Sequence, residues 1–326
     1  EMPTAVSCQA TDLFARGAVA ILQKVGCDYL AFGCEGGDVA FFKAAVSQRK
    51  AIEKEISRFV EENRSLTFAS QLTQLAIKKF GEKSELVEAL QSPNQQLGLA
   101  YAVENANGKR QMQLVPITRV GNGHLDDALE ETAFASGTAL RKALKGNRED
   151  KVLRAQLSYV RFNEGEYQND WSYYWPLLKS IILRSTDDKL RAIYQMEEGI
   201  ENRLKEAVRT TSSIEECLQY LKNKRWSWAR LQRLLVYVLI GVTKAEMEDY
   251  WSRGVKEGAV LGFTPKGQEW LKRMRKVETF QLITNYAAYK DERQESWDLL
   301  YDYWNPSKQI SATVFKPIQV NKEESF

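Results

Sequence analysis

The 326-residue sequence is poor in the residues that most often carry catalysis and metal binding. It contains one histidine, His124, and four cysteines that lie far apart without a CxxC pair. We therefore expect reduced, mostly buried thiols rather than a disulfide framework or a zinc site, and no tightly bound metal ion. His124 follows a Gly-Asn-Gly loop, and we interpret it as a polar loop residue rather than as an acid or base.

Long apolar runs and a strong charge bias are also absent. The longest apolar run, 234–242, is far shorter than the roughly 20 residues that cross a bilayer, and no signal peptide is expected. A net charge of +3 gives no global sign of a nucleic-acid binder, so any basic surface must be local. These features predict a cytoplasmic globular protein without a membrane partner.

The composition changes near residue 148. All eight tryptophans lie after this point, from Trp171 to Trp304, and the polar segment 145–150 is typical of a boundary between domains. The length is that of a two-domain chain. We therefore predict one domain over residues 1–148 and a second over residues 149–326.

The first part alternates between helical and strand patterns. Apolar residues follow helical spacing over 11–25, and Gly26 ends that helix. The runs 28–32 and 112–117 are typical of buried strands, and helices are expected over 38–62 and after Pro93. A strand, a glycine loop and a helix in this order predict an α/β domain on an open parallel sheet.

The second part is helical almost throughout. Capping-box spacing occurs at 213–216 and 243–246, and Thr264 precedes a proline at the first position of a helix. Between these signals, 260–263 is a brief extended piece. The pattern predicts an all-α helical domain that packs beside the α/β part.

Gly33 follows the first predicted strand directly at its carboxyl end. In open α/β sheets, ligands bind outside these strand ends, and glycine lets the backbone come close to a nucleotide. The alternative is that the glycines of 33–37 only form a turn.

A second candidate site combines Arg119 with the start of a later helix. Ser136 and Thr138 place small hydroxyl groups where free backbone N–H groups and the helix dipole favour an anion. Arg141 adds a charged fork for a phosphate. An ordinary serine cap beside a solvated arginine is the alternative interpretation.

A third candidate site is the basic segment 222–233. On a single helix, its cations would gather on one side with Trp226 among them, opposite an apolar face. Cations interleaved with an aromatic side chain suit phosphate contact and base stacking, whereas a solvated face over a bundle core is the alternative. The candidate RNA-binding residues are Lys222, Lys224, Arg225, Arg230 and Arg233.

Several segments, in order along the chain, resemble motifs of the tRNA(Met) cytidine acetate ligases. Each match is modest, but their shared order makes the resemblance specific. The segments are LAFGCE at 30–35, resembling L-x-F-G-S-E; SPNQQLGLAY at 92–101, resembling PNNILGxxY; ITR at 117–119, resembling I-x-R; FASGTALRK at 134–142, resembling IASATAIRK; KRWSWARLQR at 224–233, resembling KRYTxxRLQR; and VLGFTPKG at 260–267, resembling VLGFxxKG.

The resemblance implies a Rossmann-like nucleotidylyl-transferase domain, incomplete at its N-terminus, followed by a helical tRNA-binding domain. Such enzymes activate acetate with ATP as acetyl-adenylate and then acetylate N4 of the wobble cytidine in elongator tRNA(Met). Carried onto this sequence, Gly33, Asn94 and Arg119 would contact ATP, which is expected to act as a co-substrate together with Mg²⁺.

The sequence also departs from the family pattern. The family's H-x-G-H-like motif, which grips the triphosphate, has no counterpart, so we expect the segment that carries it upstream of Glu1. Cys34 replaces a serine and Gly137 replaces an alanine. Two other functions stay open: a catalytically silent RNA-binding relative, and a related nucleotidylyl transferase with another substrate. The oligomeric state is not predicted.

Overall fold

The computed structural model describes residues 1–62, 67–119, 137, 139–140, 143, 171–197, 199–275, 280–285, 291–301 and 317–319. The first half contains two strands and seven helices in the described residues. These are α1 Thr4–Ser7, α2 Thr11–Lys24, β1 Tyr29–Cys34, α3 Val39–Ala51, α4 Glu53–Glu62, α5 Phe68–Phe80, α6 Glu85–Ala89, α7 Pro93–Asn107 and β2 Gln113–Thr118.

Strands β1 and β2 are parallel neighbours, and helices α3 to α7 form the crossover between them. Their register runs from Tyr29 opposite Gln113 to Cys34 opposite Thr118. Alternate residues of β1 are buried beneath the helices: Leu30, Phe32 and Cys34. The α/β domain with a parallel sheet that the sequence predicts is therefore confirmed.

Helix α7 packs closely against the sheet because glycine stands at the crossing point. A Cβ atom on Gly98 would lie 2.8 Å from the ring of Phe32 and 3.0 Å from the ring of Phe42. Both rings are buried and meet edge to face, with centroids 5.0 Å apart, so neither has room to move. The helix starts at Pro93, as predicted, after Ser92 caps its first turn.

The prediction of one long helix over 38–62 is wrong in one respect, because the structure divides this segment into α3 and α4 at Ile52. This residue is 1% exposed, and its side chain belongs to the core of the first half. The break lets α4 turn towards α5, where Lys79 pairs with Glu55 at 2.8 Å. The residue at the break is thus a core residue, and the helical pattern of the sequence continues across it without revealing the break.

The second half is mostly helical in the described residues. Its helices are α8 Trp171–Arg184, α9 Asp187–Ala192, α10 Ile200–Thr210, α11 Ile214–Leu221, α12 Trp228–Ile240, α13 Lys244–Arg253, α14 Pro265–Met274 and α15 Glu292–Tyr301. Four short strands accompany them: β3 Glu257–Ala259, β4 Gly262–Phe263, β5 Gln281–Ile283 and β6 Ile318–Gln319. They form two parallel pairs, β3 with β5 and β4 with β6. The helical architecture is confirmed, and the short strands are an addition to the all-α prediction.

The helix starts that the sequence predicts are present, with one variation. Thr243 and Glu246 form a complete capping box at the start of α13, and Thr264 caps α14. Ser213 caps α11, but the Glu216 carboxylate accepts a hydrogen bond from the backbone of Ser212 at 2.8 Å. The spacing therefore predicts the cap correctly, although the partner of the carboxylate lies one residue earlier.

The first nine residues pack against the second half of the chain. The amino group of Glu1 donates to the carbonyl of Ala259 at 2.7 Å, and the backbone N–H of Ala259 donates back at 3.2 Å. The buried hydroxyl of Tyr237 donates to the carbonyl of Ala5 at 2.9 Å. The predicted boundary near residue 148 lies outside the described residues, so the division into two domains stays a prediction.

Among the residues that the structure describes, no helix has both the length and the apolar character needed to cross a bilayer.

Replacing Gly98 by alanine should lower the free energy of unfolding by roughly 1–2 kcal/mol, because the new methyl group clashes with two buried rings and the gain in helix propensity does not compensate. Gly36→Ala is the matched control, since a Cβ there meets no described atom within 4 Å. We expect its free energy of unfolding to change by no more than about 0.5 kcal/mol. Urea denaturation measures both, and equal values for the two variants would contradict the packing described for α7.

Candidate functional site

Gly33 and Arg119 lie side by side at the carboxyl end of the sheet. Gly33 is opposite Ile117 in the parallel register, and the backbone N–H of Arg119 donates to the carbonyl of Cys34 at 2.8 Å. Arg119 is exposed, and a Cβ on Gly33 would meet no described atom within 4 Å. The described protein therefore leaves open space in front of the Gly33 backbone, where a ligand has access to the strand end.

The amino end of α7 reaches the same place. The side-chain amide of Asn94 donates to the carboxylate of Glu35 at 3.4 Å, two residues beyond Gly33. The next residue, Gln95, bonds the backbone of Glu35 and Gly36. Gly33, Asn94 and Arg119 come from three separate stretches of the sequence, and the structure brings all three to one end of the sheet.

This arrangement offers three kinds of contact to a nucleotide. Gly33 offers a backbone that a ligand can approach, Asn94 offers an amide, and Arg119 offers a permanent positive charge. The positive end of the α7 dipole adds a favourable field for an anion, although Pro93 lacks an N–H and the Gln95 N–H is bonded to the Ser92 cap. Gln95 was not predicted as part of this site. The available signal was its polar side chain in the first turn of α7, after the Ser92 cap.

The basic segment does not form the single helix that its sequence pattern suggested. Helix α11 ends at Leu221 and α12 begins at Trp228, so Lys222, Lys224 and Arg225 lie in the loop between them. The cause is local: the side-chain oxygen of Asn223 accepts hydrogen bonds from the backbone of residues 225 and 226, both at 2.9 Å. An asparagine turn replaces the helical bonds, and Ser227 then caps α12.

Trp226 is not available for base stacking. It is 3% exposed and belongs to the core of the helical half, and the guanidinium of Arg230 covers its ring at 3.9 Å. Arg230 also donates to the carboxylate of Glu197 at 3.3 Å and to the carbonyl of Arg225 at 3.2 Å. The predicted interleaving of cations with an exposed aromatic ring is therefore wrong, because the ring is needed in the core.

A cavity of about 760 Å³ lies between the two halves of the molecule. Its volume is in the range of typical ligand sites. One wall comes from α2, α5, α7 and the ends of α3 and α4, and the other carries Arg225, Arg230 and Arg233 with Tyr194. The residues at the sheet end, Gly33, Asn94 and Arg119, do not line it, so the cavity and the sheet end are separate places.

Carboxylates predominate on the first wall of the cavity, which also carries Arg49, and arginines predominate on the second, which also carries Glu197. On the first wall, burial raises the pKa of the Asp12 carboxyl against the opposing effect of Arg49, and burial likewise raises the pKa of Glu104. On the second wall, burial lowers the pKa of Arg233, and the neighbouring Arg230 adds to this effect. The Nε–H of Arg233 has no hydrogen-bond partner among the described residues. This nitrogen is itself buried, so the unpaired N–H is an energetic cost to the fold and not an accessible anion contact.

The predicted phosphate site at Ser136, Thr138 and Arg141 lies outside the described residues, as does His124. Around it, the described residues 137, 139–140 and 143 are helical, and Ala139 and Ala143 are buried. Among the described residues, no group of three or more histidine, cysteine, aspartate or glutamate side chains is arranged to hold a metal ion.

Comparison with known proteins identifies the family to which the chain belongs. A family model described as HIGH Nucleotidyl Transferase matches residues 1–323. The tRNA(Met) cytidine acetate ligase of Streptococcus pneumoniae serotype 19F (strain G54) is 33% identical over 308 residues, covering 94% of this chain and 78% of that relative. The same enzyme of Halalkalibacterium halodurans is 31% identical over 313 residues, covering 92% of this chain and 74% of the relative.

The chain belongs to the tRNA(Met) cytidine acetate ligase family. The resemblance seen in the ordered motifs is thereby confirmed.

Solved structures of Thermotoga maritima TmcAL share the fold at 24% identity. The apo form I has a TM-score of 0.84, covering 98% of this chain and 84% of that chain. Form II, bound with alpha-thio ATP, has a TM-score of 0.80, covering 98% of this chain and 83% of that chain. A nucleotidyltransferase-type α/β domain with a helical part is therefore the fold of this family member.

Proposed function

We propose that the protein activates acetate with ATP as acetyl-adenylate and transfers the acetyl group to N4 of the wobble cytidine of elongator tRNA(Met). The observation that carries the proposal is the meeting of Gly33, Asn94 and Arg119 at the carboxyl end of β1 and β2. Membership of the ligase family supports the reaction, and the alpha-thio ATP bound to Thermotoga maritima TmcAL supports the nucleotide.

Each residue at the sheet end has a defined part in ATP binding. The backbone at Gly33 lets the nucleotide come close, the amide of Asn94 bonds it, and the guanidinium of Arg119 faces the phosphates. ATP enters as its Mg²⁺ complex, and Ser136, Thr138 and Arg141 are proposed to add a further phosphate contact. Adenylation needs positioning and charge stabilisation at the α-phosphate more than proton transfer.

The second half is proposed to bind the tRNA. Lys222 and Lys224 are exposed on the loop before α12, and Arg225, Arg230 and Arg233 line the cavity between the halves. The positive charge of these three arginines at the cavity supports phosphate contacts there. Residues 1–148 would thus act on ATP and acetate, and residues 149–326 would hold the RNA.

Arg119→Ala should weaken ATP binding by roughly 10- to 100-fold, which corresponds to the loss of hydrogen bonds to a charged group. Because Arg119 is exposed, the fold should be unchanged. Arg110→Ala is the control, since Arg110 is also exposed but pairs with Asp28 at 2.6 Å before the amino ends of the strands. Equilibrium dialysis with ATP measures both variants. Unchanged affinity in Arg119→Ala would overturn the assignment of this residue to the ATP site.

Replacing Arg225, Arg230 and Arg233 together by glutamine should weaken tRNA binding and flatten its dependence on salt. The logarithmic salt slope should fall by about 1 for every phosphate that the variant no longer neutralises. The control removes the same charge from exposed lysines of the first half, Lys24, Lys43 and Lys78. Filter binding over a series of salt concentrations gives the slopes. An equal change in both triple variants would mean that only net charge matters, and the arginine wall would not be the RNA contact.

A further inference from the structure

Gln95 is a buried polar residue beside the exposed sheet end. Its side chain is 4% exposed, although it belongs to the first turn of α7, next to Asn94. Its amide oxygen accepts from the backbone N–H of Glu35 at 3.3 Å, and its amide nitrogen donates to the carbonyl of Gly36 at 3.1 Å. One side chain therefore bonds both a donor and an acceptor of the loop that follows β1.

The loop between β1 and α3 depends on such a support. It reverses the chain between Cys34 and Val39, and Gly37 adopts a positive φ of 87° there. The carboxylate of Glu35, which accepts from Asn94, is carried by the same loop. A shift of this loop relative to α7 therefore separates the Glu35 carboxylate from the Asn94 side chain, next to the end of β1 that carries Gly33.

We propose that Gln95 is a positioning residue for the nucleotide, because it locks the β1–α3 loop to the first turn of α7. It touches no nucleotide itself, and it acts by holding the loop that follows Gly33 against the helix turn that carries Asn94. The proposal rests on the proposed function, since it assumes that ATP binds at this end of the sheet. Glutamine suits the task because its amide supplies a donor and an acceptor on one planar group.

The chain supplies a matched control on the same helix. Asn105 is also 4% exposed, and its amide bonds the backbone N–H and carbonyl of Met112, both at 2.8 Å. This pair holds the other end of α7, far along the helix from Asn94. Gln95→Met and Asn105→Leu each keep side-chain volume while they remove two hydrogen bonds to backbone groups, so both should lower stability to a similar extent.

The experiment measures ATP dissociation constants, steady-state kinetics and backbone hydrogen exchange for the wild type and both variants. In Gln95→Met, ATP should bind about ten-fold more weakly, in line with the loss of two positioning hydrogen bonds. KM for ATP should rise by the same factor, and kcat at saturating ATP should stay within about two-fold. Amide exchange should accelerate at residues 35–37. In Asn105→Leu, ATP affinity should stay within about two-fold, and exchange should accelerate near Met112 instead.

A second variant keeps the test decisive if Gln95→Met folds poorly. Gln95→Asn keeps an uncharged carboxamide on a side chain that is shorter by one methylene, so it should weaken both bonds to the loop, and with them ATP binding, without adding a charge beside the nucleotide. ATP affinity equal to the wild type in a folded Gln95 variant would overturn the proposal, and so would an equal loss in Asn105→Leu. If the wild type itself binds no ATP, the proposed function fails first and this role of Gln95 fails with it.

Discussion

Helix α7 is fixed to the sheet at both ends by buried amide side chains, and the candidate nucleotide site depends on this attachment. Gln95 bonds the loop after β1, and Asn105 bonds the backbone before β2. Between them, Gly98 lets the helix come close to Phe32 and Phe42. Leaving such buried groups unpaired costs about 1–3 kcal/mol each, so the helix has one favourable position. That position places Asn94 beside the strand ends that carry Gly33 and Arg119.

The second half of the molecule is joined to this unit by its own set of contacts. The opening segment bonds the far part of the chain through Glu1, Ala5 and Tyr237. Between the halves, the cavity has carboxylates on one wall and arginines on the other. In the proposed reaction, the tRNA would reach across both halves, because the acetyl group would be activated at the sheet end and the RNA would be held by the helical part.

Local sequence rules were sufficient for much of the fold and for part of the site. Gly26, Pro93 and Thr243 start or end helices by backbone geometry and capping, which act within a few residues. Gly33 was predicted because ligands bind outside the carboxyl ends of strands in open α/β sheets, whereas Arg119 was predicted as a phosphate-directed cation and by the resemblance to the ligase family. Asn94 was predicted only through its match to the family motif. Its contact with Glu35, 59 residues away in the sequence, could not have been predicted from residue spacing.

The predictions that were wrong or missing involve contacts between residues far apart in the sequence, or local hydrogen bonds that compete with a helix. Gln95 was missed because its partners lie 59 residues or more away in sequence. The basic segment was assigned to one helix, although Asn223 redirects its backbone and Trp226 is taken into the core. An asparagine followed by a serine cap was the available signal for that loop. The break at Ile52 falls on a core residue, and the helical pattern alone does not reveal it.

The most direct test of the account is nucleoside analysis of elongator tRNA(Met) after incubation with the protein, ATP and acetate. The proposed function predicts N4-acetylcytidine at the wobble position, formed only when ATP and acetate are both present. It predicts that AMP accumulates in step with the modified nucleoside. A protein that binds the tRNA while the wobble cytidine stays unmodified and ATP is not consumed would contradict it, and would indicate an RNA-binding relative without adenylation chemistry.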